Sequence, residues 1–357
     1  MVFIHTADIH LGMVPDIGSN WSTDRAYDIK ETFFNVIKKC KEVRADLLLI
    51  AGDLFNKQPL TSDLNEINEQ FSTIPNTQIV IISGNADKIR DNSTVLSYRF
   101  NKNVHYIFSE HPTELEIPNL NLVIHGFSYH HSEIKRSLID SIPDPEYDGK
   151  IHILLAHGGD TLHCPIDFNS LSNRNFNYCA LGHLHTFQDM FNHKIVYPGS
   201  LEPLDISEAS EHGVCIGEIN TMTGRLERFH FEPMAKVEYI AFNVKVNIHN
   251  TNEDIIDTIT SEISKKSPEN IYRIHLEGYR DPNVHFDFTS LNRFRIIDII
   301  DETEPKYDFL ELSKEHPQDM IGAYIRTFNK NIDELSLIQK KALYYGINAL
   351  LKSSELG

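Results

Sequence analysis

Cysteine, positive charge and long apolar runs are all scarce in this chain. The four cysteines, Cys40, Cys164, Cys179 and Cys215, show no Cys-x-x-Cys spacing. They read as reduced, mostly buried thiols of a cytoplasmic protein rather than as a disulfide framework. Lysine and arginine number 33 against 51 aspartates and glutamates, a formal charge of -18. That balance argues against a surface that is basic throughout, the usual footprint of a general nucleic-acid binder. It leaves room for a local electropositive site. The one small basic cluster, Lys38, Lys39, Lys41 and Arg44, reads as a solvated helix face. No apolar run approaches the ~20 residues needed to cross a bilayer. The N-terminus has no basic stretch followed by an apolar one, so no signal peptide is expected. No internal repeat and no low-complexity tract stands out.

What is present is length, hydrophobicity and a recurring pattern. The 357 residues, 41% of them hydrophobic, are enough for two or three domains with a sizeable core. Val2-Phe3-Ile4, Leu47-Leu48-Leu49-Ile50-Ala51, Ile79-Val80-Ile81-Ile82 and Leu122 to Phe127 read as short buried strands. So do Ile151 to Leu155, Asn177 to Leu181 and Ile195 to Tyr197. Helical spacing predicts helices over 24–44, on Phe33, Ile37 and Cys40, and over 61–73. This strand, loop, helix alternation is an α/β pattern, in which sites collect at strand ends. Gly213 to Ile219 and Leu226 to Phe231 read as a closing hairpin around Thr223-Gly224.

The character changes near Pro233. Lys236 to Val246 alternates like a half-exposed strand. Ile256, Ile259 and Ile263 line a helix, and Ile271 to Leu276 reads as a further strand. From about Pro317 the chain reads as helical, with Ile321, Tyr324, Ile325 and Phe328 on one face. Leu335, Ile338, Ala342, Tyr345 and Ala349 recur at three-four spacing in a last helix. That stripe reads as core packing, with a partner-binding face as the alternative.

The strand ends carry the chemistry. Asp8-Ile9-His10 places a carboxylate and an imidazole two residues apart, where strand geometry points them the same way. Gly52-Asp53, Gly84-Asn85, Ala156-His157 and Gly182-His183-Leu184-His185 each follow a hydrophobic run and each offers an oxygen or nitrogen ligand. A carboxylate that bridges two metals, with neutral imidazoles and an amide oxygen around it, suits phosphodiester hydrolysis. Two metals roughly 3.5–4 Å apart can place a nucleophile and neutralise charge around phosphorus.

Taken in that order, these motifs resemble the five motifs of the calcineurin-like metallophosphoesterases. Thr6 to Gly12, Gly52-Asp53-Leu54-Phe55 and Tyr197-Pro198-Gly199-Ser200 are similar to the SbcD/YhaO-type DNA repair exonuclease branch. The resemblance covers roughly residues 1–231. It implies an α/β sandwich of two mixed β-sheets flanked by helices over 1–232; the change of pattern beyond it reads as an α+β capping domain over 233–300 and a helical C-terminal segment over 301–357. It implies that Asp8, His10 and His185 hold a first metal, that Asn85, His157 and His183 hold a second, and that Asp53 bridges both. The metals it implies are two divalent ions, manganese first and magnesium as the alternative. DNA is the implied substrate, with a homodimer and a coiled-coil ATPase subunit as partners. No Gly-rich lysine phosphate loop occurs here, so ATPase activity would belong to another chain.

One residue departs from the family pattern. Where the motif reads Gly-Asn-His-Asp, this chain reads Gly84-Asn85-Ala86-Asp87. The family histidine stabilises the transition state or protonates the leaving oxygen, and alanine can do neither. Asp87 is expected to support the second metal site from outside. Asn56 also stands where some relatives have histidine. The expected function is therefore metal-dependent cleavage of DNA phosphodiesters, impaired at Ala86. Ala86 is either a substitution in a normal nuclease or a natural feature of a binding protein. Two other classes stay open: a phosphatase or cyclic-nucleotide phosphodiesterase on the same dimetal site, and a non-catalytic DNA-end or partner-binding subunit. His5, His125, His152, His163 and His193 read as structural or surface residues, and His130-His131 as a surface loop.

Overall fold

A computed structural model of the chain describes residues 1–328 and 335–355. The stretch 329–334 and the last two residues, part of the tail read as helical from sequence, lie outside the described residues. The chain divides into two compact units. The first is Met1–Ala241 with Ser267–Arg273 and Phe294–Asp298. The second is Phe242–Lys266, Ile274–Arg293 and Ile299–Gly357.

Strands and helices alternate through the first unit: β1 (Val2–Thr6), α1 (Ser22–Val43), β2 (Leu47–Ala51), α2 (Thr61–Ser72), β3 (Gln78–Ile82) and β4 (Val104–Ile107). There follow β5 (Thr113–Ile117), β6 (Leu122–Gly126), β7 (Ile151–His157), α3 (Phe168–Ser172), β8 (Tyr178–Gly182), β9 (Gln188–Met190) and β10 (Ile195–Tyr197). β11 (Gly213–Ile219) and β12 (Leu226–Pro233) form the closing hairpin. Two six-stranded mixed sheets result, ordered β12-β11-β1-β2-β3-β4 and β5-β6-β7-β8-β10-β9.

The layering explains why these strands read as continuous apolar runs. Ile4, Leu48, Ile50, Ile79 and Ile81 face Phe33, Ile37, Leu64 and Phe71 of α1 and α2. Their neighbours Phe3, Leu47, Leu49, Val80 and Ile82 face the opposite sheet, meeting Ile124, Ile153, Leu155 and Tyr178. The outer face of the second sheet is covered in turn, with Leu154, Ala156, Cys179 and Leu181 packed against Leu171 and Phe176. Strands covered on both faces carry no polar alternation. The short, partly polar strands β4, β5 and β9 lie at or near sheet edges and gave no such signal. Lys38 and Lys41 are exposed on α1, Arg44 is exposed just past its end, and Lys39 pairs with Glu232.

The second unit holds most of a third sheet, in the order β13 (Tyr239–Val246), β14 (Ile271–Arg280), β15 (Ile296–Asp301), with β16 (Glu304–Pro305) beside β14. Helix α4 (Asn252–Ser264) opens on a capping box, Thr251 accepting from the Asp254 N–H at 3.2 Å and Asp254 from the Thr251 N–H at 2.8 Å. Its buried stripe is Ile255, Ile259 and Ile263, so Ile255 takes the place expected of Ile256. α5 (Phe309–Glu315), α6 (Met320–Thr327) and α7 (Leu337–Glu355) complete the unit. Of the expected stripe Leu335 is buried, but its members on α7 are turned outward: Ile338 and Tyr345 are 82% and 68% exposed, and Ala342 and Ala349 are exposed too. Leu343 and Ile347 are the buried residues, packed with Phe309, Ile321 and Leu335. This helix carries apolar residues at helical spacing on more than one face, so periodicity alone could not choose between them. No helix among the described residues is long and apolar enough to cross a membrane.

Candidate metal centre

All the proposed ligands leave the C-terminal ends of β1, β2, β3, β7 and β8, or the turns that follow them. The first two turns are stitched together: the Asp8 N–H donates to Gly52 O, the His10 N–H to Asp53 O and the Leu11 N–H to Leu54 O, at 2.9–3.1 Å. Asp8, His10 and Asp53 have φ near +50°, and His183 has φ +100°. The side chains of Asp8 and His10 converge through these left-handed turns, not through the extended alternation expected at a strand end. Left-handed backbone at a non-glycine residue costs of order 1–3 kcal/mol and collects at functional sites. The glycines make room. A Cβ at Gly84 would land on Asp53 Oδ1 and His157 Nε2, and one at Gly52 on the His157 ring.

The side chains form two adjoining groups. In the first, His185 Nε2 is 3.9 Å from Asp8 Oδ1 and the ligand atoms of Asp8, His10 and His185 lie within 4.8 Å of one another. In the second, Asn85 Oδ1 is 3.0 Å from His157 Nε2 and 3.2 Å from His183 Nδ1. Asp53 Oδ2 faces both, 3.7 Å from His10 Nε2 and 3.6 Å from His157 Nε2. Asp53 Oδ1 accepts the Ala86 N–H at 2.9 Å, and Asp8 Oδ2 accepts the His183 N–H at 2.8 Å.

Residues so arranged fit divalent cations. Asp8 Oδ1 and both ring nitrogens of His10 are buried without a hydrogen-bond partner. A buried polar group left so costs about 1–3 kcal/mol. Burial holds the His157 pKa well below the ordinary value, and its Nδ1–H donates to Ala51 O at 2.9 Å. Its Nε2 therefore meets Asn85 Oδ1 acceptor to acceptor, an arrangement that a cation satisfies. The donor set of imidazole, carboxylate and amide oxygen is that of divalent transition metals or magnesium rather than of a thiophilic ion.

The charges of the metal-free site follow from burial. Loss of water pushes the Asp8 and Asp87 carboxyls up to about 8 and Asp53 up to about 6. It brings His10 down to about 4. His185 goes the other way: burial would lower it, but the Glu208 hydrogen bond and the Asp8 charge outweigh burial and raise it to about 9.

Other residues occupy the margin. Asp87 accepts the Gly84 N–H at 2.8 Å and the Phe55 N–H at 3.2 Å, tying two ligand loops together. Ala86 brings only a methyl group beyond its backbone. Asn56 lines an open cleft of about 490 Å³ with His10, Met13, His185 and Glu208. Two residues were missed from sequence. Glu208 Oε1 is 2.7 Å from His185 Nδ1. Asp160 Oδ2 is 2.8 Å from His183 Nε2 and 2.9 Å from His163 Nδ1, so His163 holds Asp160 at the margin of the site. Asp160 lies three residues after His157 across Gly158-Gly159, a spacing that could have flagged it. Glu208 carries no local signal. The other histidines have partners of their own: His5 with Tyr178, His125 with His152, His193 with Asp189 and His130 with Phe108 O. His131 is exposed.

Comparison with known proteins agrees with this geometry. Residues 1–187 match the calcineurin-like phosphoesterase family. The chain is 28% identical over 222 residues to the DNA double-strand break repair protein Mre11 of Methanocaldococcus jannaschii, covering 59% of each. It is 28% identical over 237 residues to the uncharacterized metallophosphoesterase YhaO of Bacillus subtilis, covering 60% of this chain and 56% of that one. The chain thus spans less than two thirds of the length of either relative. The family match takes in more than half of the chain and every proposed ligand from Asp8 to His185. With its two mixed sheets and the convergence of acids and imidazoles at their strand ends, the chain belongs to the calcineurin-like phosphoesterase family, a family of metal-dependent phosphoesterases.

Proposed function

We propose that the chain is a two-metal DNA nuclease, acting in end processing or repair, whose hydrolytic step is slowed by Ala86. Asp8, His10 and His185 would hold one cation, Asn85, His157 and His183 the other, and Asp53 would serve both. Manganese suits this set, with magnesium the alternative. When bound, such a pair neutralises charge around the scissile phosphate and raises the reactivity of the attacking oxygen. The chain's own groups do the positioning. The Ala86 N–H fixes Asp53 Oδ1, leaving Oδ2 toward both halves, and Asp87 braces the loops of Asp53 and Asn85. What the alanine at position 86 cannot do is hand a proton to the leaving oxygen, a loss worth about 10²–10⁴ in rate.

The observation that carries this reading is that Asp53 Oδ2 lies 3.7 Å from His10 Nε2 and 3.6 Å from His157 Nε2, facing both groups, beside a position that holds only a methyl group. DNA as substrate is supported by the relative named for double-strand break repair. The division into a nuclease domain (1–232), a capping domain (233–300) and a helical tail (301–357) belongs to the same reading. So do a homodimer, a coiled-coil ATPase partner and a cytoplasmic setting.

The test is substrate choice by the Ala86→His protein in manganese. Labelled single- and double-stranded DNA should be cut. Turnover of a chromogenic diester or a cyclic nucleotide without DNA cleavage would contradict the nuclease reading and favour a phosphodiesterase. Manganese binding with no cleavage of any of these would favour a DNA-end-binding subunit.

A further inference from the structure

The segment Gly182-His183-Leu184-His185 sends one imidazole to each half of the centre, and the two turn opposite nitrogens inward. His183 presents Nδ1, 3.2 Å from Asn85 Oδ1, whereas His185 presents Nε2, 3.9 Å from Asp8 Oδ1. The outward nitrogens account for the difference. His183 Nε2 lies 2.8 Å from Asp160 Oδ2, and His185 Nδ1 lies 2.7 Å from Glu208 Oε1. A neutral imidazole has one proton; given to a carboxylate on one side, it leaves a lone pair on the other.

Each carboxylate is itself held, and by different parts of the chain. Asp160 Oδ1 accepts the N–H groups of Leu162 and His163 at 2.7 and 2.8 Å, and Oδ2 meets His163 Nδ1 at 2.9 Å. Glu208 Oε2 accepts the Leu204 N–H at 2.9 Å and the Ser200 hydroxyl at 3.0 Å. His212 closes that second cradle, its Nδ1 2.9 Å from Ser200 Oγ and its Nε2 2.9 Å from Glu208 O. The two cradles share no residue.

We propose that Asp160 and Glu208 are positioning residues, each assigned to one cation: Glu208 sets His185 for the first and Asp160 sets His183 for the second. The two halves of the centre can then be loosened separately. This rests on the metal assignment above but not on DNA as the substrate. Loss of such an outer partner frees the imidazole to rotate or to carry its proton on the inward nitrogen, and typically costs 10- to 100-fold in metal affinity. The Glu208 side chain is 12% exposed and that of Asp160 45%. Water screens and replaces the more exposed partner more easily, so Glu208 should have the larger effect.

The experiment is calorimetric titration of manganese into the metal-free full chain. Glu208→Ala should weaken one of two sites by about 10- to 100-fold and leave the other at parent affinity; Asp160→Ala should weaken the other site, by nearer 10-fold. Glu208→Gln and Asp160→Asn keep an oxygen that accepts the imidazole proton and should recover most of the affinity. Glu208→Ala should add little on top of His185→Ala but its full effect on top of His183→Ala. Parent affinity at both sites in the alanine variants would overturn the assignment, as would equal weakening of both sites by each variant. Thermal melting of the metal-free variants controls for folding: a large fall in Tm with no recovery by Gln or Asn would mean a structural role and overturn the proposal. The measurement contains no DNA. A chain that shows this pattern but cuts nothing refutes the nuclease reading alone, and variants that bind normally in a chain that cuts DNA refute this one alone.

Discussion

Asp53 is the residue on which the centre turns, because one of its oxygens lies within 3.7 Å of imidazoles from both halves. Asp53→Ala should therefore disturb both cations, and His185→Ala mainly one. Manganese titration should give a lower stoichiometry for Asp53→Ala than for His185→Ala, and unchanged stoichiometry in Asp53→Ala would rule out its bridging position. A second consequence comes from burial. Without metal, Asp53 and Asp8 hold their protons up to about pH 6 and about pH 8. Cations need the ionised forms, so binding displaces protons, and affinity rises with pH across that window. Calorimetry at pH 7 in buffers of different ionisation enthalpy should show proton release, and identical heats in both buffers would contradict it. At this scale the sequence was informative wherever a ligand follows an apolar run, as Asp53, Asn85 and His157 do. It was silent on Glu208, 23 residues beyond its partner in a loop with no periodicity, and on the left-handed turns that aim Asp8 and His10.

Buried strands announce themselves because each is covered on both faces, and β2 needs no more than Leu47 to Ala51 to be recognised. Edge strands such as β4 and β5 have one polar face and short length, so tertiary pairing, not local pattern, defines them. Helix α7 shows the opposite difficulty, with apolar residues at helical spacing on more than one face. The buried set makes a direct prediction. Leu343→Ala or Ile347→Ala should destabilise the second unit by about 2–5 kcal/mol, whereas Ile338→Ser on the exposed side should stay within about 0.5 kcal/mol. Denaturant unfolding followed by circular dichroism distinguishes them. Equal losses at Ile338 and Ile347 would mean that the exposed stripe is covered in solution, as the partner-face reading requires.

The whole molecule carries a formal charge of -18, which repels a polyanion such as DNA. Two divalent cations held by the proposed ligands would reverse that sign locally, so DNA binding should be weak in a chelator and restored by calcium. Binding and chemistry then separate at position 86, where the missing side chain belongs to no proposed ligand. Loss of an interaction made only in the transition state lowers the rate of the chemical step and leaves ground-state affinity alone. The most direct test is single-turnover cleavage of a labelled DNA in manganese by the parent chain and by Ala86→His, with DNA affinity titrated in calcium for both. The expected result is a gain of about 10²-fold or more in cleavage rate at nearly unchanged affinity. Equal and brisk cleavage by both proteins, or a gain that appears only as tighter binding, would contradict the account.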